Sequence, residues 1–123
     1  MKASDYCTVT TTTDNRKNAE LITQTLLQNK LVACVQASPI ESAYRWKEQI
    51  INSKEIRLEF KTKVSLFEEV KETIERLHTY DVPEILMIRI DDAKFDYLRW
   101  IDDVTKKSEY VEKVSDEVWQ QGS

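Results

Sequence analysis

The amino-acid sequence predicts a single α+β domain in which strands and helices follow one another in the order βαββαβ, with a further short helix after them. Two observations support this class. Apolar residues recur at helical spacing in two separate segments, and β-branched or alternating segments flank both. The chain has 123 residues, of which 41% are hydrophobic. That length is typical of one domain, so we take residues 1–123 as a single unit.

The first predicted unit is a strand followed by a helix. Tyr6–Thr13 is rich in β-branched residues, which favours a strand. Asp14 is the expected N-cap of a helix that extends to about Lys30. Asn29 is expected to end that helix in the left-handed conformation. The apolar residues at helical spacing are Ala19, Ile22, Leu26 and Leu27.

A long hairpin is predicted over residues Leu31 to Thr62. Its first strand begins in the apolar run at Leu31. Its second strand is marked by strict alternation of apolar and charged residues between Ile56 and Lys61, as in a half-buried antiparallel strand. Asn52 and Ser53 are the expected turn between the strands.

A second helix, a strand and a short third helix complete the prediction. Pro83 forces Val82 out of helical geometry, so the second helix must end before this point. The nearly continuous apolar run Ile85–Ile90 predicts a central strand buried on both faces. The second helix is marked by Phe67, Val70, Ile74 and Leu77, and the third by Tyr97, Leu98, Ile101 and Val104.

This order of elements predicts a ferredoxin-like sandwich with an antiparallel sheet. Because that fold serves many unrelated functions, the function must be inferred from a site. One class that shares the fold is an acylphosphatase-like hydrolase, which needs a phosphate-cradling loop with a nearby arginine. The loop before the first helix has Arg16 but no glycine, so this class is disfavoured.

Composition excludes several further classes. The net charge is −4, with 18 basic and 22 acidic residues, so we expect no nucleic-acid partner. No segment approaches the roughly 20 apolar residues that cross a bilayer, and residues 1–5 lack a signal-peptide core, so no membrane partner and a cytoplasmic location are expected. The single glycine, Gly122, cannot build a phosphate-binding loop. Two cysteines and one histidine disfavour a zinc site within one chain.

Several segments, in one colinear order, resemble the CutA divalent-cation tolerance family. They are Thr11-Thr12-Thr13-Asp14, Lys30-Leu31-Val32-Ala33-Cys34, Tyr44-Arg45-Trp46, Glu55-Ile56, Lys61-Thr62, His78-Thr79-Tyr80-Asp81-Val82-Pro83-Glu84 and Asp96-Tyr97-Leu98-Arg99-Trp100. The resemblance covers a core of about residues 5–106 and leaves residues 107–123 as a C-terminal extension. It implies a ferredoxin-like fold, a homotrimer built like the PII signalling proteins, and a link to copper and other divalent cations.

The chain departs from the family at positions that matter for metal binding. Glu48 stands where the family commonly has glycine in the hairpin, and Thr79 stands where proline commonly follows the histidine. Thr10 and Leu77 replace two of the three residues of the family's proposed copper set, so His78 alone is retained. Copper, or another divalent cation, is therefore expected to bind weakly.

His78 and Cys34 are the candidate metal ligands, and each has a simpler alternative. The imidazole of His78 would sit favourably at the C-terminal end of the second helix as a cap. A free cysteine within an apolar strand, such as Cys34, commonly serves as a small buried hydrophobic residue. The thiolate of Cys34 is the softer candidate ligand for Cu(I).

A cleft between subunits is the other candidate site. Its aromatic members are Tyr44, Trp46, Tyr80, Tyr97 and Trp100, and its charged members are Glu55, Lys61 and Glu84. Packing within a core or interface is the alternative role for these rings. The sequence thus favours a non-enzymatic, trimeric divalent-cation tolerance protein. A PII-like trimer that binds a small-molecule effector or acts in signalling without a metal is the alternative.

Overall fold

The computed structural model describes residues 2–107, which form a four-stranded antiparallel sheet and three α-helices. In chain order the elements are β1 (Tyr6–Thr13), α1 (Arg16–Gln28), β2 (Cys34–Trp46), β3 (Gln49–Lys63), α2 (Phe67–Leu77), β4 (Leu86–Arg89) and α3 (Phe95–Val104). This confirms the mixed α+β class and the third helix. Apart from Lys107, the predicted extension over 107–123 lies outside the described residues.

The sheet has the strand order β2-β3-β1-β4, and each neighbouring pair is antiparallel. Helices α1 and α2 cover one face of it, where Val9 of β1 and Phe60 of β3 pair and are fully buried. Ile22 of α1 and Ile74 of α2 pack against this layer. Helix α3 covers part of the opposite face, which we call the outer face, through contacts between Ile101 and Tyr6 and their neighbours.

The ends of α1 differ from the prediction by one residue each. Asn15, not Asp14, is the N-cap, and its side-chain oxygen accepts a hydrogen bond from the backbone N–H of Asn18 at 3.0 Å. At the other end Lys30, not Asn29, has a positive φ, of 56°. At the N-terminal end the boundary depends on which of two neighbouring polar side chains, Asp14 or Asn15, makes the capping bond. At the other end no local pattern favours a positive φ at Lys30, because Asn adopts that conformation more readily than Lys.

The hairpin turn lies at Lys47 and Glu48, so the prediction of a turn at Asn52 and Ser53 is wrong. Both turn residues have positive φ, 50° and 64°. Asn52 and Ser53 instead lie within β3, where they pair with Ala43 and Ser42 of β2. The turn is difficult to predict because neither Lys nor Glu favours this conformation, whereas Asn and Ser favour turns.

Strand β4 is an edge strand, which contradicts the prediction of a central strand buried on both faces. Its only neighbour among the described residues is β1. Leu86 is 53% exposed and Ile88 is 60% exposed, while Met87 packs against the core. The strand is apolar on both faces, as the sequence indicated, but no described element covers its outer face.

Candidate functional site

A cleft of about 540 Å³ lies where the outer face of the hairpin meets the loop that follows α2. Its lining combines three aromatic rings, apolar side chains, hydroxyl groups and charged groups. The lining residues are Thr12, Ile40, Ser42, Ala43, Tyr44, Trp46, Glu55, Arg57, Tyr80, Asp81, Val82 and Glu84.

Strand register explains why residues distant in sequence share this cleft. Thr12 of β1 pairs with Arg57 of β3, and Glu55 of β3 pairs with Ile40 of β2. Since side chains alternate between faces along a strand, Glu55 and Arg57 lie on the same face. That face is the outer one, because the intervening Ile56 packs against the helical core.

His78 holds the loop after α2 against β1. Its ring Nε2 lies 2.8 Å from the carbonyl oxygen of Thr12, and its Nδ1 accepts the backbone N–H of Tyr80 at 3.0 Å. Because Nδ1 accepts, Nε2 must carry the proton and donate, which defines a neutral imidazole. Burial lowers the pKa of His78, although the Thr12 hydrogen bond and the charges of Asp14 and Glu55 act in the opposite direction. His78 is the C-cap residue of α2, as the sequence indicated, but its ring bonds to Thr12 and Tyr80 and not to the last carbonyls of that helix.

Tyr80 and Glu55 form the polar centre of the cleft. The Tyr80 hydroxyl donates to Oε2 of Glu55 at 2.6 Å, and Glu55 is only 7% exposed. Burial, the hydrogen bond to Glu55 and its charge all raise the pKa of Tyr80. The phenol therefore stays protonated and acts as a hydrogen-bond donor.

The rim of the cleft is more open than its centre. Tyr44 and Trp46 on β2 are 41% and 45% exposed. The side chains of Arg57, Asp81 and Glu84 are also exposed and bring one positive and two negative charges to the lining. Such a mixture of aromatic walls and a few polar groups is typical of small-molecule sites.

The structure brings five of the eight predicted cleft residues together, namely Tyr44, Trp46, Glu55, Tyr80 and Glu84. The other three lie elsewhere. The Nζ of Lys61 hydrogen-bonds to the side chains of Gln36 and Glu59, both at 3.0 Å. Tyr97 and Trp100 pack against each other on α3, with ring centroids 5.6 Å apart.

Sequence reasoning missed Thr12 and Arg57 as lining residues. A signal for Arg57 was present, because it lies two positions from Glu55 in a strictly alternating strand and must share its face. No comparable signal existed for Thr12, since its place depends on the pairing of β1 with β3.

The candidate metal ligands do not form a chelating set within one chain. Both nitrogens of His78 already make hydrogen bonds. Cys34 is half-buried on β2 and does not line the cleft. Among residues 2–107 no three His, Cys, Asp or Glu side chains are grouped so that they could hold a metal ion. Copper therefore does not fit the residues of a single chain as they stand.

Cys7 lies near the start of β1 and is fully buried. Burial raises the pKa of its thiol to about 12, so it is not a reactive thiolate. Within residues 2–107, no helix combines the length and the apolar character that a bilayer crossing requires.

Both the sequence and the fold are similar to those of known proteins. Residues 7–104 match the family model described as CutA1 divalent ion tolerance protein. The divalent-cation tolerance protein CutA of Pyrococcus horikoshii is 41% identical over 80% of this chain and 97% of its own length. The chloroplastic protein CutA of Arabidopsis thaliana is 35% identical over 77% of this chain and 53% of its own length.

Solved structures agree with the sequence matches. The crystal structure of CutA1 from Pyrococcus horikoshii superposes with a TM-score of 0.79 at 40% identity, covering 82% of this chain and 99% of that one. The structure of CutA1 from Oryza sativa gives a TM-score of 0.81 at 32% identity, covering 84% and 95%. Both the sequence match and the superposition extend over most of the chain, so the protein belongs to the CutA1 divalent ion tolerance family.

Proposed function

We propose that this protein works as a homotrimer in divalent-cation tolerance and binds its ligands without transforming them. The observation that carries the proposal is the uncovered apolar area on the outer face of the sheet. Leu86 and Ile88 on β4 and Trp46 on the hairpin are all more than one-third exposed. Exposed apolar side chains on an edge strand mark a surface that a further copy of the chain would cover.

The topology supports the finer fold assignment. The strand order β2-β3-β1-β4, with α1 and α2 on one face, is the arrangement expected of a ferredoxin-like sandwich. We take residues 1–123 as one such domain and propose a PII-like trimer as its assembly. Three copies around an axis would bring each group of the outer face into proximity with its symmetry mates.

Binding is favoured over catalysis by the state of the polar groups. Tyr80 is a protonated donor with a raised pKa, and His78 uses both ring nitrogens in structural hydrogen bonds. Arg16, the residue relevant to an acylphosphatase-like reaction, begins α1 and does not line the cleft. The acidic net charge supports neither nucleic acid nor an anionic membrane as a partner. Both cysteines are free thiols, as is usual in the cytoplasm, where we place the protein.

Copper is the proposed cation, and His78 is its proposed main ligand. Coordination through the unprotonated Nδ1 would have to displace the backbone N–H of Tyr80. A single imidazole cannot chelate a metal ion. Tighter copper binding would therefore require symmetry-related copies of His78 or a contribution from Cys34. Copper stands highest in the divalent affinity order and can best use a sparse site.

Calorimetric titration with Cu²⁺ and Zn²⁺, combined with light scattering, tests this proposal. We expect weak copper binding that falls sharply in His78→Ala and changes little in Cys7→Ser, because the thiol of Cys7 is buried. A reduced affinity in Cys34→Ser would add that thiolate to the ligand set. Tight copper binding that survives His78→Ala would contradict the assignment.

A second candidate function is that of a small-molecule effector trimer without a metal. The cleft of about 540 Å³ favours it, because its volume and aromatic walls suit an organic ligand better than a bare ion. Titration separates the two functions, since an effector would bind in the absence of added metal.

A further inference from the structure

Glu55 is a buried carboxylate without a cationic partner. It is 7% exposed, and the one hydrogen bond that its side chain makes within residues 2–107 comes from the neutral hydroxyl of Tyr80. None of the salt bridges in that part of the chain includes it. Buried carboxylates are ordinarily paired with a cation or several donors. The position of Glu55 therefore leaves a place for a positive charge in the cleft.

The surroundings of Glu55 favour the same sign of charge. The described lining contains the carboxylates of Glu55, Asp81 and Glu84 against the single guanidinium of Arg57. Tyr44, Trp46 and Tyr80 supply three aromatic rings. The face of such a ring attracts a cation, most strongly one that is weakly hydrated.

A bare divalent ion uses these groups poorly. The acidic side chains line one cleft but, in the part of the chain that the structure describes, they do not converge as a metal-binding group. Mg²⁺ and Ca²⁺ need several oxygen ligands around one point and gain little from aromatic walls. An organic cation can instead place its charge at one carboxylate and its body against the rings.

We propose that the cleft binds a small organic ammonium compound, whose N–H group donates to the carboxylate of Glu55 and whose apolar body packs against Tyr44 and Trp46. This inference rests on the small-molecule candidate of the proposed function and names the chemical class of its ligand. Trp46 belongs both to this cleft and to the proposed trimer contact, so a neighbouring copy would form the outer wall of the cleft at this ring.

Three probes of similar shape and different charge test the sign of the site. They are 2-phenylethylammonium, 2-phenylethanol and 3-phenylpropanoate, titrated calorimetrically into the metal-free protein near neutral pH. We expect the ammonium compound to bind about tenfold more tightly than the alcohol, the size expected for a charge-assisted hydrogen bond. We expect no measurable binding of the carboxylate. Equal affinity for the alcohol and the ammonium compound would overturn the inference.

A matched pair of variants tests the role of Glu55. Glu55→Gln keeps the shape of the side chain and should weaken ammonium binding about tenfold. Glu59→Gln is the control, because Glu59 lies on the same strand face but pairs with Lys61 and does not line the cleft. We expect its affinity to stay within about twofold of the unmodified protein, since charges outside the cleft are screened. Unchanged binding in Glu55→Gln would overturn the inference.

A further variant decides the question if Glu55→Gln fails to fold. Tyr80→Phe keeps the ring and removes the hydroxyl that occupies Oε2 of Glu55. Ammonium binding should then be retained or strengthened, because the carboxylate has lost its internal donor, and a loss of binding by a folded variant would contradict us. Light scattering of the same samples separates this inference from the trimer. If the protein is a trimer but does not bind the ammonium probe, only the proposed ligand class is wrong. If it is a monomer that binds the probe, only the proposed trimer is wrong.

Discussion

Two threonines of β1 that face the helices differ in how their hydroxyls are satisfied. The Oγ1 of Thr13 donates to Oδ1 of Asn18 at 3.0 Å and accepts the backbone N–H of Asn15 at 3.3 Å. The Oγ1 of Thr11 is buried, and it has no partner among the described residues. A buried hydroxyl without a partner carries an uncompensated desolvation cost.

We therefore expect Thr11→Val to raise the free energy of unfolding by about 1 kcal/mol, because it removes this cost and preserves the side-chain shape. Thr13→Val is the matched control and should lower that free energy by about 1–3 kcal/mol, since Asn18 and Asn15 would lose their partner. Denaturant titration of both variants measures the difference. Destabilisation of equal size in both would mean that Thr11 has a partner in solution.

His78 should make stability depend on pH below neutrality. Its pKa is lower in the folded state than its ordinary value of 6.5, mainly because of burial. As the pH falls below about 6.5, the unfolded chain therefore binds the proton more readily than the folded one, and the free energy of unfolding decreases. Protonation of Nδ1 would also break the bond from the Tyr80 N–H.

We expect the decrease in unfolding free energy between pH 7 and 5.5 to be steeper in the unmodified protein than in His78→Gln, which has no titrating group at this position. Chemical denaturation at several pH values measures both slopes. Parallel slopes would show that His78 does not titrate differently on folding.

The candidate site could be predicted from sequence only where local patterns place a residue. Glu55 lies within an alternating strand and Tyr80 next to a helix end, so both positions could be inferred. Lys61 shares that strand but points to Glu59 and Gln36, several residues along the face from the cleft. Distance along a strand decides which same-face residues share one site, and sequence alone does not give the position of the cleft.

At the scale of elements, the β2–β3 hairpin is closed by residues poorly suited to their conformation. Lys47 and Glu48 both have positive φ, which glycine adopts without steric cost. We expect Glu48→Gly to raise the free energy of unfolding by about 1 kcal/mol, because it relieves this cost in a two-residue turn. Thermal or chemical unfolding measures the gain.

Asn52→Gly is the contrasting variant, since the exposed Asn52 lies within the β2–β3 ladder, where it pairs with Ala43. It should lower the free energy of unfolding by about 0.5–1 kcal/mol, because glycine weakens an extended strand. The same sign of change in both variants would show that turn geometry is not the cause.

Helices and alternating strands were predictable because the spacing of their apolar residues indicates which face of the element is buried. In α2 the apolar residues recur on one face, and Val70 and Ile74 are fully buried. The position of β4 in the sheet was predicted wrongly because apolar residues on both faces are equally typical of a central strand and of an edge strand that another element covers. That distinction depends on the whole assembly, so no local pattern resolves it.

At the scale of the whole molecule, several exposed apolar residues lie on the edge strand β4 and on the β2–β3 hairpin. Leu86 and Ile88 lie on the outer face of β4, and Tyr44, Trp46 and Ile50 lie on the hairpin. β2 and β4 are the two edges of the sheet. An edge with exposed apolar residues tends to associate, so these positions are the ones at which assembly should be sensitive.

We expect light scattering at micromolar concentration to give a mass three times that of the 14.5 kDa chain. Trp46→Ala should weaken the trimer by about 2 kcal/mol, because truncating a large aromatic at an interface removes much of its binding energy. Ile88→Lys should weaken the trimer more than Trp46→Ala, because it places a charge in the proposed contact. Glu68→Lys, on the solvent-exposed face of α2, should leave the mass unchanged. A monomeric mass for the unmodified chain would contradict the trimer prediction. A trimer whose dissociation is unchanged by both outer-face substitutions would show that these residues do not form its interface.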